Sequence, residues 1–389
     1  MNRMLTALAM AALLASPALA DVTVKATNKL DFARPSQTIE VSGEDLTSLD
    51  VKDLTFVHVK DDAGEELLAQ AVDTDFDEVH RPDIVIFQSD FKPNQTKTFT
   101  LSAGKKQVYT AEDFRAFGRF NRERFDDYQW ENDRVAFRTY GASLRTWKGE
   151  PLTSSAIDIW SKRTPKMVTD KWYMHGDYHV DHGEGADFYS AGPTAGCGGA
   201  GVWADGKVVW PPNFVNSRTL AAGPIRVLFE LDYEPFDAGG RQVAATRRTQ
   251  LDAGHNLNHI VMTFKPQGPG QLTAAVGLKK AASDKGASDH ARDYNKERGW
   301  MTKFEDVEKR QGQQGLAIII DDPTLIATDA ENDRNVFLVV NVPKDGKLSY
   351  RSGFFWDKAN HFEGYEAWKT YIDRQAQAIA SPIEVTVSK

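Results

Sequence analysis

Short runs that alternate between apolar and polar residues, rich in Val, Ile and Thr, recur along almost the whole chain and point to a fold built from sheets. Val22-Thr23-Val24-Lys25, Gln37-Thr38-Ile39-Glu40-Val41, Thr55-Phe56-Val57-His58-Val59 and Asp83-Ile84-Val85-Ile86-Phe87 come first. A period of two with β-branched side chains marks strands with one buried face. Residues 21–103 are therefore expected to form a small N-terminal β-sandwich, with Gly104-Lys105-Lys106 as a link. Beyond it, residues 134–140 alternate, and further strands are expected at 225–233, 243–251, 257–264, 272–276, 336–340 and 350–356. Phe362, Tyr365, Trp368, Ile372, Ala376 and Ile379 recur at spacings of three and four, the signature of one helical face. Residues 383–387 return as a final strand. The expectation is a mostly β chain, with 104–389 as a second, larger part made of packed sheets and carrying a C-terminal helix. Two long stretches, around 165–215 and 280–312, read as irregular, and loops of that length inside a domain are usually functional.

Residues 1–20 read as a signal peptide rather than as part of the fold. Asn2-Arg3 is a short positive start, residues 5–14 are apolar, and Ala18-Leu19-Ala20 is a small-x-small cleavage signature before Asp21. The expected location is periplasmic or secreted, with no membrane insertion, because no segment offers about 18 uninterrupted apolar residues. Cys197 is the only cysteine, so an intramolecular disulfide is impossible, and a buried small hydrophobe is its expected role. Charged residues make up 26% and the net charge is −8 without a block of one sign, which argues against nucleic acid as a partner. Nine tryptophans suit stacking on sugar rings and equally suit a large β core.

Three of the nine histidines fall in one polar, glycine-containing segment, Tyr173-Met174-His175-Gly176-Asp177-Tyr178-His179-Val180-Asp181-His182-Gly183-Glu184-Gly185. Its composition speaks for a loop, the usual place for chemistry on a β scaffold. His175, His179 and His182 carry three readings. They can act as acid–base groups, with Tyr178 or Tyr189 as a second proton carrier. They can bind a divalent metal, which Gly176, Gly183 and Gly185 disfavour by breaking the helix that would align them. They can simply hydrogen-bond the loop. The acid–base reading is preferred, with no cofactor required. His255 and His259, four apart, are second-tier candidates.

Trp130-Glu131-Asn132-Asp133-Arg134-Val135-Ala136-Phe137-Arg138 sets polar groups just before a strand in which Arg134, Ala136 and Arg138 would share a face. Two arginines on one face suit a carboxylate-bearing ligand; the bland alternative is a solvated edge whose arginines pair with Glu131 and Asp133. The glycine-dense run 192–201 lacks the setting of a nucleotide loop, so phosphate binding is rejected.

These motifs together carry a resemblance. Trp-Glu-Asn-Asp-Arg-x-Ala-Phe-Arg (130–138), His-x-Asp-His-Gly-Glu-Gly-x-Asp-Phe-Tyr (179–189), Gly-Pro-Thr-x-Gly-Cys-Gly-Gly-x-Gly (192–201) and Ala-x-Gly-Pro-Ile-Arg (221–226) resemble the domain-of-unknown-function 4861 family over essentially the whole mature chain. Members are typically exported by bacteria that degrade uronic-acid polysaccharides. The resemblance implies a carbohydrate-active role on pectin- or ulvan-type oligosaccharides and a β-supersandwich similar to the galactose-mutarotase-like lyases. It brings no catalytic set with it.

On the residues themselves, β-elimination needs a group to neutralise the carboxylate, a base and an acid. Arg134 or Arg138 with Asn132, His179 or His182, and Tyr178 or Tyr189 supply these roles, with Trp130, Glu131, Glu184 and Asp187 as further substrate contacts. Loss of water from a terminal sugar, a dehydratase reaction, would use the same parts; hydrolysis through Glu184 with Asp187 or Glu131, or epimerisation through the same histidine and carboxylate groups, is the second reading. A non-catalytic sugar-binding protein using Trp130, Trp172, Trp203 and Trp210 is the third.

Overall fold

In the first strand, Val22–Thr27, the side chains of Val22, Val24 and Ala26 are buried and Lys25 is exposed, so the alternation of the sequence is that of the folded strand. The computed structural model describes residues 21–388, apart from residues 76, 78–80, 125 and 149–151. The expected signal peptide, residues 1–20, lies outside the described residues.

Val22–Thr27 stands between Thr96–Ala103 and the chain's last strand, Glu384–Ser388, in a five-stranded antiparallel sheet. A three-stranded sheet of Arg34–Ser42, Ile84–Phe91 and Ala69–Val72 packs against it over Ile39, Val41, Phe87, Phe99 and Leu101. The final strand was expected in the second part of the chain. Instead Val385 and Val387 pack on the core of the first, where they cover what would be an open sheet edge.

The larger body is built on an eight-stranded antiparallel sheet. Its order is Phe214–Ala222, Arg226–Asp237, Gln242–Asp252, Leu257–Pro266, Lys347–Trp356, Gln313–Ile320, Trp300–Asp306 and Asp289–Asn295. The stretch 280–312 is thus no irregular loop. Its strands form the outer hairpin of the sheet, and Asp289–Asn295 is polar because it is an edge strand with no fully buried residue.

One face of this sheet packs on two five-stranded sheets. The first is Ala116–Phe120, Asp127–Asn132, Ala136–Tyr140, Asp158–Lys162 and Gly185–Ala186; the second is Lys207–Val209, Cys197–Ala204, Thr273–Lys279, Asn335–Asn341 and Ile326–Glu331. A single core including Trp130, Phe137, Phe229, Met262, Val276 and Leu338 joins all three sheets. Cys197 is buried within it, as expected.

The opposite face of the large sheet is covered at two places. The helix Tyr365–Ala380 lays Trp368, Ile372 and Ala376 on Trp300, Ala317, Ile319 and Phe355. The N-terminal sandwich sets Val72 and Ile86 on Ile225 and Leu228. At that seam buried Gln70 accepts from the backbone N–H groups of Ile225 and Arg226 and donates to the Arg226 carbonyl. The chain is therefore mostly β, a small sandwich on a larger one with a C-terminal helix. Among the described residues no helix is long and apolar enough to cross a membrane.

Candidate active site

The first five-stranded sheet has an apolar face toward the core and a second face that is polar yet buried. Antiparallel register sets Gln129, Arg138 and Asp158 in one row, Asp127 beside Tyr140 in the next, and Glu131, Ala136 and Trp160 in a third. Side chains opposite each other in adjacent strands share a face, so these residues meet although they are distant in sequence.

Arg138 is the centre of this layer. Its Nε donates to Asp158 Oδ2 at 2.7 Å and its Nη2 to Asp187 Oδ2 at 2.7 Å. Asp127 Oδ2 lies 3.8 Å from Nη1, accepts from Tyr173 OH at 2.8 Å, and is 3.5 Å from Arg124. Tyr140 OH donates to Asp158. Burial pushes the Asp187 carboxyl well above the usual carboxylate range, with Arg138 opposing, and raises Asp127 in the same way. Asp127 Oδ1, Asp187 Oδ1 and Arg138 Nη1 are buried without a hydrogen-bond partner among the described residues, a kind of exception that native interiors seldom tolerate.

Over this layer lies the histidine segment. It opens with a short helix, Thr169–His175, which the sequence reading took as irregular. Glu131 starts that helix from a neighbouring strand. Its Oε1 accepts from the backbone N–H of Val168 and Thr169, each at 2.8 Å, and from Thr169 Oγ1 at 2.7 Å. Lys162 holds the other Glu131 oxygen at 2.7 Å and also donates to the carbonyls of Asn132 and Lys166. Trp160 is stacked beneath Tyr178, with ring centroids 5.1 Å apart, and Tyr173 packs beside it. The segment then rejoins the sheet at Gly185–Ala186, where a Cβ on Gly185 would run into the Ser161 carbonyl.

His179 stands where this loop crosses the buried layer. Its Nδ1 lies 3.1 Å from the carbonyl oxygen of Asp187 and 3.4 Å from that residue's carboxylate. A carbonyl can only accept, so Nδ1 carries the proton and Nε2 is the free acceptor of a ring that is 57% exposed. The His179 ring touches Tyr178 at 4.7 Å between centroids. Tyr178 in turn lines an open cavity of about 330 Å³ with His175, His182, Asp177, Lys171 and Glu184. His182 Nε2 donates to Asp177 at 2.8 Å. Glu184 accepts from Lys171 at 2.8 Å, which holds its carboxyl below the usual range.

The structure gathers His175, His179, His182, Tyr178 and Glu184 at one surface and moves the other candidates away from it. Trp130 is fully buried, stacked on Phe137 and donating to Asn258, so it offers no platform to a ligand. Glu131 is equally buried and saturated as the helix anchor. Asn132 shapes the turn, accepting from the Arg134 and Val135 N–H groups and donating to the carbonyls of Asp252 and His255. Arg138 has its fork filled by two carboxylates. Arg134 precedes the strand, which begins only at Ala136, and reaches Asn256 at 3.3 Å. Asp187 supports from below, and Tyr189 is buried under Lys279, 4.5 Å from its ring centroid, away from the loop cavity. Among the described residues no three His, Cys, Asp or Glu side chains gather as metal ligands.

Sequence reading missed Asp127, Asp158, Tyr140, Tyr173 and Trp160. Asp158 left a signal, a lone charge within Ala156-Ile157-Asp158-Ile159-Trp160. A larger cavity of about 530 Å³ lies at the seam of sandwich, sheet and helix and includes His255 and His259. Its charges are largely spent on each other. Arg226 binds Asp252 twice at 2.7 Å and also Glu40, and Arg34 binds Gln37 and the Ser381 carbonyl.

The chain is 31% identical over 381 residues to uncharacterized protein P7 of Formosa agariphila, covering 94% of this chain and 93% of that protein. In fold it is similar to a protein in the glycosyl hydrolase family 38 from Enterococcus faecalis, with TM-score 0.51 and 10% identity. That likeness covers 95% of this chain but only 47% of the other, so the chain spans about half of that protein's length. Residues 26–385 match the model of a domain of unknown function, DUF4861, and the chain belongs to that family.

Proposed function

We propose that this protein is a carbohydrate-active enzyme that acts on uronate-containing oligosaccharides by β-elimination, with His179 as the base. One observation carries the reading. His179 is fixed through Nδ1 by the Asp187 carbonyl, its ring is exposed, and it touches Tyr178, which lines the cavity together with His175, His182 and Lys171. An imidazole held in one tautomer by its other nitrogen is how proteins prepare a proton acceptor. The fold neighbour in glycosyl hydrolase family 38 and the family resemblance both support a sugar as substrate.

In the elimination, Nε2 of His179 takes the C5 proton, the C4–O4 bond breaks, and a C4–C5 double bond forms. Tyr178 returns a proton to the departing oxygen. The substrate carboxylate, which must be neutralised for the C5 proton to leave, meets Lys171, the 54%-exposed cation of the cavity wall. Hydrolysis by a carboxylate pair fits less well. Glu184 is held ionised by Lys171, which removes it as an acid, and Asp187 is 2% exposed and cannot reach a glycosidic oxygen.

The test is incubation with pectin, ulvan, alginate and glucuronan oligosaccharides, read by mass spectrometry and by the ultraviolet absorbance of an unsaturated uronate. Unsaturated products are expected, and His179→Ala should lower turnover by about 10²–10⁴-fold. Products heavier by one water, or full activity in His179→Ala, would overturn the assignment.

A further inference from the structure

On the outer face of the second five-stranded sheet, two half-buried tryptophans, Trp203 and Trp210, pack on a small apolar cluster of Ala275, Phe337 and Val339. Strands Cys197–Ala204 and Lys207–Val209 are joined by Asp205 and Gly206, both with positive φ, in the two-residue turn that suits a twisted hairpin. Register sets Trp203 opposite Val208 and against Phe337, with ring centroids 5.9 Å apart. Trp210 returns to the same Phe337 at 6.2 Å and lies over Gly201, where a Cβ would come within 3.1 Å of its ring.

Both indoles are half-buried, and neither N–H has an acceptor among the described residues. Four packed tryptophans, Trp130, Trp300, Trp356 and Trp368, donate to Asn258, Asp373, the Gln311 carbonyl and Thr302, while buried Trp160 shares the lack of a partner among the described residues.

A cavity of about 350 Å³ opens beside Trp203 and Trp210, walled by Pro193 and residues 331–335. The wall is fixed, because Asn335 accepts from the Ala195 N–H at 2.8 Å and Asn332 accepts from the Arg334 and Asn335 N–H groups at 2.9 Å. Lys207 and Arg334 on its rim are exposed, and neither side chain has a carboxylate partner among the described residues; of the two carboxylates in the lining, Glu331 is paired with Lys280 and Arg292, which leaves Asp333 as the one opposing charge.

We infer that this groove is a second sugar-binding site, one that holds an anionic stretch of an oligosaccharide outside the catalytic loop. Indole faces match the apolar C–H face of a pyranose, and the free N–H groups meet its hydroxyls. The unpaired Lys207 and Arg334 select sugars bearing carboxylate or sulfate, since guanidinium and ammonium groups bind such anions directly. The inference rests on the carbohydrate reading above and adds where a longer chain would be held.

The experiment uses full-length His179→Ala protein, which binds without turning over, titrated with oligogalacturonate, sulfated ulvan oligosaccharide and neutral galacto-oligosaccharide. Tryptophan fluorescence and calorimetry read the binding. Lys207→Glu with Arg334→Glu changes only exposed side chains and should weaken an anionic oligosaccharide by about tenfold or more, without shifting the melting temperature. Trp210→Ala should weaken anionic and neutral chains alike. Unchanged affinity in both variants, or no binding of any of the three sugars, overturns the second site. Variant-dependent binding of a sugar that the wild-type protein leaves unreacted upholds the site while removing elimination of that sugar. Elimination with variant-independent binding does the reverse.

Discussion

Arg138 shows how burial decides what a cation can do. Its planar fork bridges Asp158 and Asp187, and a lysine in its place would keep the charge but lose one of the two fixed contacts. An external carboxylate would have to displace a buried partner and leave that partner's charge uncompensated. Asp158→Ala removes the acceptor of both Arg138 Nε and Tyr140 OH, so the expected loss is about 3–5 kcal/mol of stability. Urea unfolding of the variant against wild type measures it. A loss within the ordinary surface range, under about 0.5 kcal/mol, would mean that this ion network is not holding the sheet. Arg134→Lys, by contrast, alters a half-buried group with one 3.3 Å contact and should stay close to wild type.

At the scale of elements, legibility followed how local the stabilising contacts are. The helix Tyr365–Ala380 was readable because its apolar stripe lies within its own sequence and meets the sheet directly. Trp368 anchors it, fully buried between Phe355, Phe362 and Tyr371, with its indole N–H on Thr302 at 2.9 Å. Trp368→Ala should cost about 3–5 kcal/mol through the cavity it leaves. A calorimetric scan showing an unchanged melting temperature would refute that.

The helix Thr169–His175 was not readable. It has seven residues, no side-chain cap of its own at Val168, and is started by Glu131 from another strand. The histidine cluster was legible as chemistry because its members are near neighbours in sequence. The Asp127–Arg138–Asp158–Asp187 layer was not, since strand pairing alone brings it together. The same limit explains Arg138 itself. A strand with polar residues on one face normally turns that face to water, and here a helix and a loop cover it.

In the whole molecule the N-terminal sandwich, the large sheet and the C-terminal helix meet around histidines that are kept neutral. His259 faces the seam cavity, where burial and then Arg351 push its pKa down to about 4. His361, just before the helix, is likewise pushed to about 4 by burial and by Arg134. Asp321 near His259 and Asp133 near His361 oppose these shifts without cancelling them. In the unfolded chain both imidazoles return to the ordinary value of 6.5 and take up protons as the pH falls below it. The folded protein stays unprotonated at both sites until about pH 4, so across this interval the unfolded state binds more protons. The contribution of these two histidines to stability therefore rises with pH from about 4 to about 6.5 and is lost on acidification, the sign expected for bases whose folded pKa is depressed. Replacing each histidine by glutamine keeps a polar side chain but removes the titration. The double variant His259→Gln, His361→Gln should lose a smaller part of its stability than wild type between about pH 7 and about pH 5. Urea midpoints at the two pH values test this, and an acid-induced drop of the same size in both proteins would remove these histidines as the source of acid sensitivity.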